Sequence, residues 1–298
     1  MAVINGTSGN DNLFGTTGTD SIFGNNGNDV INPLTGVGDY IDGGAGNDTL
    51  VIDYSNLITD SSFSFDRVEN VVLSSGGGND SYTFNNTVDN LFGGDGNDTL
   101  DSGTLDDRLF GGNGDDRLFG GAGNDVLDGG NNNDYMIGGT GNNTLFGGAG
   151  NDVLATDNGN DYMDGGDGDD TLNGYDGNDF LVGGFGNDDL MGRGGSDTRF
   201  GGAGADRFLF FADEIGTSTQ FSFEFDFIRD ANFVGEGDKI VVNFGGLASI
   251  NQFSYTEDVN GIGTLGFDAN LFDNVGPVGF ASINAGSGFN LNRDLILV

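Results

Sequence analysis

One apolar residue recurs at every ninth position along most of this chain, and the residues between follow an equally regular pattern. From Ser75 to Leu209 the sequence divides without a gap into fifteen units of the form Gly-Gly-x-Gly-Asn-Asp-x-Leu-x. The clearest are Gly93-Gly-Asp-Gly-Asn-Asp-Thr-Leu-Asp101, Gly120-Gly-Ala-Gly-Asn-Asp-Val-Leu-Asp128 and Gly147-Gly-Ala-Gly-Asn-Asp-Val-Leu-Ala155. Three more run from Gly6 to Asn32, and two lie at 34–42 and 43–51, the first displaced by one residue around Pro33. The eighth place is apolar in nearly every unit, from Leu13, Ile22 and Ile31 through Leu100 and Leu118 to Leu190 and Phe208. Arg199 departs from this rule, which predicts that the roll frays or is capped there, with Phe200 as a substitute in the core.

Each unit reads as six turn residues followed by three strand residues. Glycines at the first, second and fourth places allow positive φ and close approach of the backbone to a ligand. Asparagine and aspartate at the fifth and sixth places tolerate left-handed conformations and can bond their own backbone. One apolar residue per short strand, with its neighbours facing out, predicts a narrow core between two short parallel sheets. Two units then form one coil with turns on opposite sides, and stacking at about 4.8 Å makes the fifteen-unit run roughly 35 Å long.

In that arrangement the sixth places fall into two rows. On one side stand Asp80, Asp98, Asp116, Asp134, Asp152, Asp170, Asp188 and Asp206; on the other, Asp89, Asp107, Asp125, Asn143, Asp161, Asp179 and Asp197. The first row is uninterrupted. The second has poorer turns, such as Phe84-Asn-Asn-Thr-Val-Asp89 and Thr156-Asp-Asn-Gly-Asn-Asp161, and Asn143 replaces a carboxylate by an amide. One well-filled and one patchier row of cations is therefore expected, because stacked carboxylates repel unless a cation separates them.

Composition sharpens this picture. There are 47 acidic residues against nine basic ones, a formal charge of −38, and no histidine or cysteine. A Ser-His-Asp triad, an HExxH zinc site, a thiolate nucleophile and a disulfide frame are excluded. Nucleic acid and anionic membranes are disfavoured as partners. Only five of the acids are glutamate (Glu69, Glu214, Glu224, Glu236 and Glu257), and none falls within a repeat unit. Oxygen-only donors without nitrogen or sulfur suit a hard cation, and a flexible cage of carboxylates and carbonyls favours calcium over magnesium. Glycine, at 59 residues, adds entropy to the unfolded chain, so a cation that binds only the folded state would offset both the charge and the flexibility.

The nonapeptides closely resemble the calcium-binding repeats of the repeats-in-toxin (RTX, haemolysin-type) family, over about two-thirds of the chain. The resemblance implies an all-β fold, a parallel β-roll (a right-handed β-solenoid of nonapeptide repeats) closed by a C-terminal β-rich cap. It implies several calcium ions, each between successive turns on one side and held by sixth-place aspartates and turn carbonyls. That assigns metal binding to Asp11, Asp20, Asp29, Asp39 and Asp48 in the N-terminal repeats. In the main run it assigns Asp80, Asp89, Asp98, Asp107, Asp116, Asp125, Asp134, Asp152, Asp161, Asp170, Asp179, Asp188, Asp197 and Asp206.

The remaining segments are read more coarsely. Residues 52–74 interrupt the repeats; Phe63 and Phe65 alternate, and Val68, Val71, Val72 and Leu73 form an apolar patch, which predicts two or three short strands continuing the roll in wider coils. After 209 the composition changes to a phenylalanine-rich segment. Phe221, Phe223, Phe225 and Phe227 alternate as in a half-buried strand, Gly237-Asp-Lys-Ile-Val-Val242 reads as a turn entering a strand, and Leu295-Ile-Leu-Val298 as a final strand.

The organisation is thus 1–51 repeats, 52–74 insertion, 75–209 main roll and 210–298 cap. No apolar window is long enough to span a bilayer, and the start, Met1-Ala-Val-Ile-Asn-Gly-Thr, lacks the layout of a secretory signal. The resemblance supplies a different route, an uncleaved C-terminal signal read by a type I secretion apparatus. It places the protein outside the cell or on its surface.

The function expected is a secreted calcium-binding protein, not an enzyme, that folds on calcium and serves a structural, cell-surface or adhesion role, with cell-surface polysaccharide or other surface proteins as partners. The alternative is an extracellular enzyme or accessory module acting on a polysaccharide, for which a two-carboxylate glycosidase needs no histidine. Ice binding ranks low, because the outward third and seventh places (Ser8, Thr17, Asn26; Asn12, Ser21, Val30) vary too freely for a flat repeated face.

Overall fold

The nonapeptide alternates a glycine-rich stretch, which can reverse direction, with three residues that can do little but extend. A computed structural model describes residues 2–34, 39–53, 64–66, 69–75, 77–84 and 87–211, together with the strands Asp226–Ile228, Lys239–Asn243, Phe253–Glu257, Gly263–Phe267, Val278–Ile283 and Leu295–Leu297. Every regular element among them is a strand. No helix is long and apolar enough to cross a membrane among the described residues. The chain divides into two compact units, residues 1–139 and 140–298.

In the first unit the coils stack as a parallel β-roll. Leu91 pairs with Leu109 and Leu109 with Leu127 in one parallel sheet, while Tyr82 pairs with Leu100 and Leu100 with Leu118 in the other. Two nonapeptides therefore make one coil. The eighth-place side chains Leu91, Leu100, Leu109 and Leu118 are fully buried, whereas their strand neighbours are partly or wholly exposed, as in Arg108–Asn113. Alternation along each three-residue strand sends one side chain inward, so the core is a single file of apolar residues from each sheet.

The coil length changes where the sequence predicts it. Ser21 pairs with Tyr40 and Val30 with Thr49, one residue longer than the regular coil, which absorbs the displacement around Pro33. The insertion widens the coils further: Ile41 pairs with Phe65 and Leu50 with Val71, both in parallel. The strands Ser64–Asp66 and Asn70–Ser74 thus continue the stack as expected, with Val71 and Leu73 buried. Phe63 and Val68 lie outside the described residues.

The second unit repeats the scheme. Leu145, Met163, Leu181 and Arg199 pair in succession in one sheet, and Leu154, Leu172, Leu190 and Phe208 in the other. The expected fraying at Arg199 does not occur. Strand Thr198–Ala203 stays in register with Phe180–Phe185, and Arg199 itself is fully buried in the eighth place. Phe200 does not substitute for it; it faces outward and packs on Phe180 with ring centroids 5.2 Å apart. Alternation in the strand explains the correction, because a ninth-place residue cannot turn inward without reversing its neighbours.

Beyond the repeats, the last coil is not left with bare edges. Thr198–Ala203 pairs with Asp226–Ile228, which pairs in parallel with Val278–Ile283, itself joined to the antiparallel strands Gly263–Phe267 and Phe253–Glu257. Arg207–Phe211 pairs with Lys239–Asn243, and that strand with Leu295–Leu297. Unpaired edges invite association with other chains, and these strands occupy them. The expected strands at Lys239 and Leu295 are present; Phe221, Phe223 and Phe225 lie outside the described residues.

Candidate metal site in the turns

The turn backbone separates the three glycines by role. Positive φ occurs at the second and fourth places, as in Gly112 (113°) and Gly114 (128°), or Gly184 (114°) and Gly186 (133°). Where the glycine is missing the conformation persists: Tyr175 (60°) and Arg193 (69°) stand at second places, Leu105 (84°) and Asn132 (78°) at fourth places. The first-place glycine has a different reason, and the expectation of positive φ there is corrected. A Cβ on Gly93 would stand 2.5 Å from both Asp98 Oδ2 and the carbonyl oxygen of Gly111 in the next coil. The first place is glycine to leave room beside those two oxygens.

The sixth-place aspartates form ladders between coils. In the first unit the N–H of Asp80 donates to Asp98 Oδ1 (2.7 Å), that of Asp98 to Asp116 Oδ1 (2.7 Å) and that of Asp116 to Asp134 Oδ1 (2.8 Å). On the other side Asp89 donates to Asp107 and Asp107 to Asp125. In the second unit Asp152, Asp170, Asp188 and Asp206 are linked in the same way, as are Asn143, Asp161, Asp179 and Asp197. The fifth places form a second ladder in the opposite sense: Asn97 Oδ1 accepts from the N–H of Asp115, and Asn151 Oδ1 from that of Asp169. These side chains therefore bond the neighbouring coil, while the bond to their own turn that the sequence suggested occurs at Asp11, Asp20 and Asn143.

In several of these carboxylates one oxygen remains. Oδ2 of Asp98, Asp116, Asp170, Asp179 and Asp188 is buried and has no hydrogen-bond partner. Such an oxygen is costly, since burial removes its water without supplying a donor. Burial accordingly pushes the carboxyl of Asp98 up to about 7, Asp170 to about 7, Asp179 to about 8, and Asp116 and Asp188 to about 6. Neighbouring aspartates in the row push Asp98 and Asp170 the same way. Either a proton or a cation answers this arrangement. The donors are carboxylate and carbonyl oxygens, and no three acidic side chains gather at one point among the described residues. A calcium ion held by few carboxylates and completed by carbonyls fits that donor set.

The other sixth places vary around this theme. Asp29, Asp39 and Asp48 also bury an Oδ2 without a hydrogen-bond partner, and burial raises the carboxyls of Asp39 and Asp48. Asp107 and Asp125 rise by burial to about 7 and about 6, Asp89 to about 6, and Asp161 is raised as well. Asp11 and Asp20 differ. Their Oδ2 atoms accept both the N–H (2.6 Å) and the hydroxyl (2.8 Å) of Thr7 and Thr16, respectively. The Thr16 bonds hold the Asp20 carboxyl below its ordinary range. Ser75 likewise donates its hydroxyl to Asp80 Oδ2.

In the poorer second-side turns, Ser102 and Thr156 stand where glycine usually does and donate to the carbonyls of Gly120 (3.0 Å) and Gly174 (2.8 Å). A hydroxyl thus enters the space that a first-place glycine leaves open. Sequence reasoning missed Glu69, whose Oε2 accepts the N–H of Asp48 at 2.8 Å. In the widened coil a longer side chain does what aspartate does elsewhere; its position just before the Asn70–Ser74 strand was the available signal.

A parallel stack of two-turn coils, with buried carboxylates ranked along both sides, defines a β-roll of calcium-binding type. The chain belongs to the RTX calcium-binding nonapeptide repeat family. That family's model matches residues 5–37, 38–51, 101–136, 128–163, 137–172, 164–198 and 173–208, just over half of the 298 residues. No curated protein matches the chain.

Proposed function

We propose that this protein is a calcium-folded, secreted β-roll with a structural or surface-interaction role. The observation that carries the reading is the row of buried Oδ2 atoms without hydrogen-bond partners, at Asp98 and Asp116 in the first unit and at Asp170, Asp179 and Asp188 in the second. The sixth-place aspartates from Asp11 to Asp206, Asp197 apart, hold the ions, with Asp11, Asp20 and Asp80 the weakest members because hydroxyls already serve them. Calcium supplies the positive charge that the rows lack, and binding to the folded state alone makes its binding energy folding energy.

A net charge of −38 keeps the chain expanded where calcium is scarce and lets it fold after release. The segment after 209 is the region proposed to be read by a type I secretion apparatus, and the folded roll then acts in a coat, matrix or adhesive layer. Circular dichroism during calcium titration of chelated protein, with magnesium as control, tests the folding claim. The β signal should appear with calcium and not with equal magnesium; a full β signal under chelation refutes it. Undiminished export after deletion of the last 60 or so residues would refute the secretion route.

A further inference from the structure

Arg199 occupies an eighth place, where the other second-unit coils carry leucine, methionine or phenylalanine, and it is as buried as they are. Its guanidinium has defined neighbours. Nη2 lies 3.6 Å from Asp197 Oδ2, with both side chains fully buried, and Nη1 donates to the carbonyl of Leu209 at 3.0 Å. The Cζ atom sits 4.4 Å from the centre of the Phe210 ring, a cation–π distance.

The place it takes is informative. In the first-side turn of Gly183, the space of the missing Cβ is bordered by Asp188 Oδ2 and, at 2.5 Å, the carbonyl oxygen of Gly201 in the next coil. In the second-side turn of Gly174 the corresponding oxygens belong to Asp179 and Gly192. At Gly192 the pattern breaks: Asp197 Oδ2 is present, but the second neighbour, at 2.5 Å, is Arg199 Nη2. One coil further on this side the sequence carries no Gly-Gly-x-Gly motif, and the residue in that place is Phe210, buried beneath the guanidinium. The glycine-rich repeats of this row have ended there, and the Arg199 guanidinium nitrogen borders the space beside Asp197 Oδ2.

We propose that Arg199 is a resident cation that fills the terminal metal position of the second-side row in the second unit, so that Asp197 is neutralised by the protein and not by calcium. A planar, permanently charged guanidinium suits a buried carboxylate, and the aromatic ring beneath compensates part of its lost hydration. The terminal coil thereby keeps a fixed charge balance whatever the calcium concentration.

The inference rests on the calcium reading above, and one experiment separates the two. Calcium bound per chain is measured by atomic emission after equilibrium dialysis at saturating calcium, for the native protein and for Asp188→Asn, Asp197→Asn and Arg199→Leu. Native protein that binds no calcium refutes the calcium reading itself. Given native binding, Asp188→Asn should lose at least one ion, whereas Asp197→Asn should lose none, because its asparagine Oδ1 still accepts from Asp179 and no ion was held there. Loss of an ion by Asp197→Asn, as by Asp188→Asn, overturns the assignment of Arg199. Arg199→Leu restores the usual core residue and frees the Asp197 carboxylate; it should gain one ion per chain, and an unchanged count likewise overturns the proposal.

Discussion

The backbone N–H of Asp98 donates to Oδ1 of Asp116 at 2.7 Å, one coil along, while Oδ2 of Asp116 stays buried without a hydrogen-bond donor. The two oxygens of one carboxylate thus have separate tasks, one joining coils and the other available to a cation. Asp116→Asn separates them. The amide oxygen still accepts from Asp98, and the amide nitrogen brings a donor into a space bordered by the Gly129 carbonyl. Without calcium the variant should be more stable than native, by roughly 1–3 kcal/mol for a satisfied buried group; with calcium it should bind fewer ions. Urea unfolding with and without chelator checks both signs, and equal destabilisation in both conditions contradicts the division of labour.

Acidity should substitute for calcium in part. The carboxyls of Asp98, Asp170 and Asp179 sit at about 7, about 7 and about 8 in the folded chain, against an ordinary 3.8, because burial disfavours the charged form. Folding without metal therefore takes up protons. The stabilisation is complete below pH 3.8 and is lost as the pH rises through these folded values. Calcium competes for the same oxygens, so its apparent affinity should climb across that interval. Circular dichroism of chelated protein should show more β structure at about pH 5 than at about pH 8.5; a flat profile would count against metal-free burial of these groups.

Two adjacent glycines should fail differently. Gly112 has φ of 113°, and a Cβ there would collide with the Gly94 carbonyl, so Gly112→Ala should cost on the order of 1–3 kcal/mol or more whether or not calcium is present. Gly111 has no positive φ, but its Cβ would fall against Asp116 Oδ2 and 2.6 Å from the Gly129 carbonyl oxygen. Gly111→Ala should also lower stability, but unlike Gly112→Ala it should weaken calcium affinity as well. Isothermal titration calorimetry beside thermal unfolding distinguishes the two, and identical profiles would refute the assigned roles.

Reach, more than charge, should matter at Glu69. Its Oε2 accepts the Asp48 N–H at 2.8 Å across the widened coil. Glu69→Gln keeps length and acceptor, whereas Glu69→Asp keeps the charge but falls short. The glutamine variant should melt close to native and the aspartate variant lower, by about 1 kcal/mol in stability. The reverse order would show that charge is what this position supplies.

The repeat made the coil, the core file and the two rows of aspartate readable before any coordinates, because each depends on a period that recurs many times. What escaped the sequence depends on a neighbour eighteen or more residues away. Fifth-place asparagine looked like a local turn former, yet Asn97 serves Asp115 in the next coil. Arg199 looked like an interruption because the pattern showed only that an apolar residue was missing; Asp197 and Phe210, which make its burial possible, meet it only in the folded roll. Glu69 was hidden because the widened coil breaks the arithmetic that located every other ladder residue.

Coils of changed length also answer a difficulty that near-identical repeats create. The two ladders would be satisfied equally well if a strand slipped by one whole coil, since Leu109 fits beside Leu127 much as it fits beside Leu91. Such errors are a characteristic failure of repeat proteins. The long step from Leu50 to Val71 and the buried guanidinium of Arg199 cannot be reproduced one coil away. They give interchangeable turns an address, so that a chain able to close in many registers has landmarks from which to count.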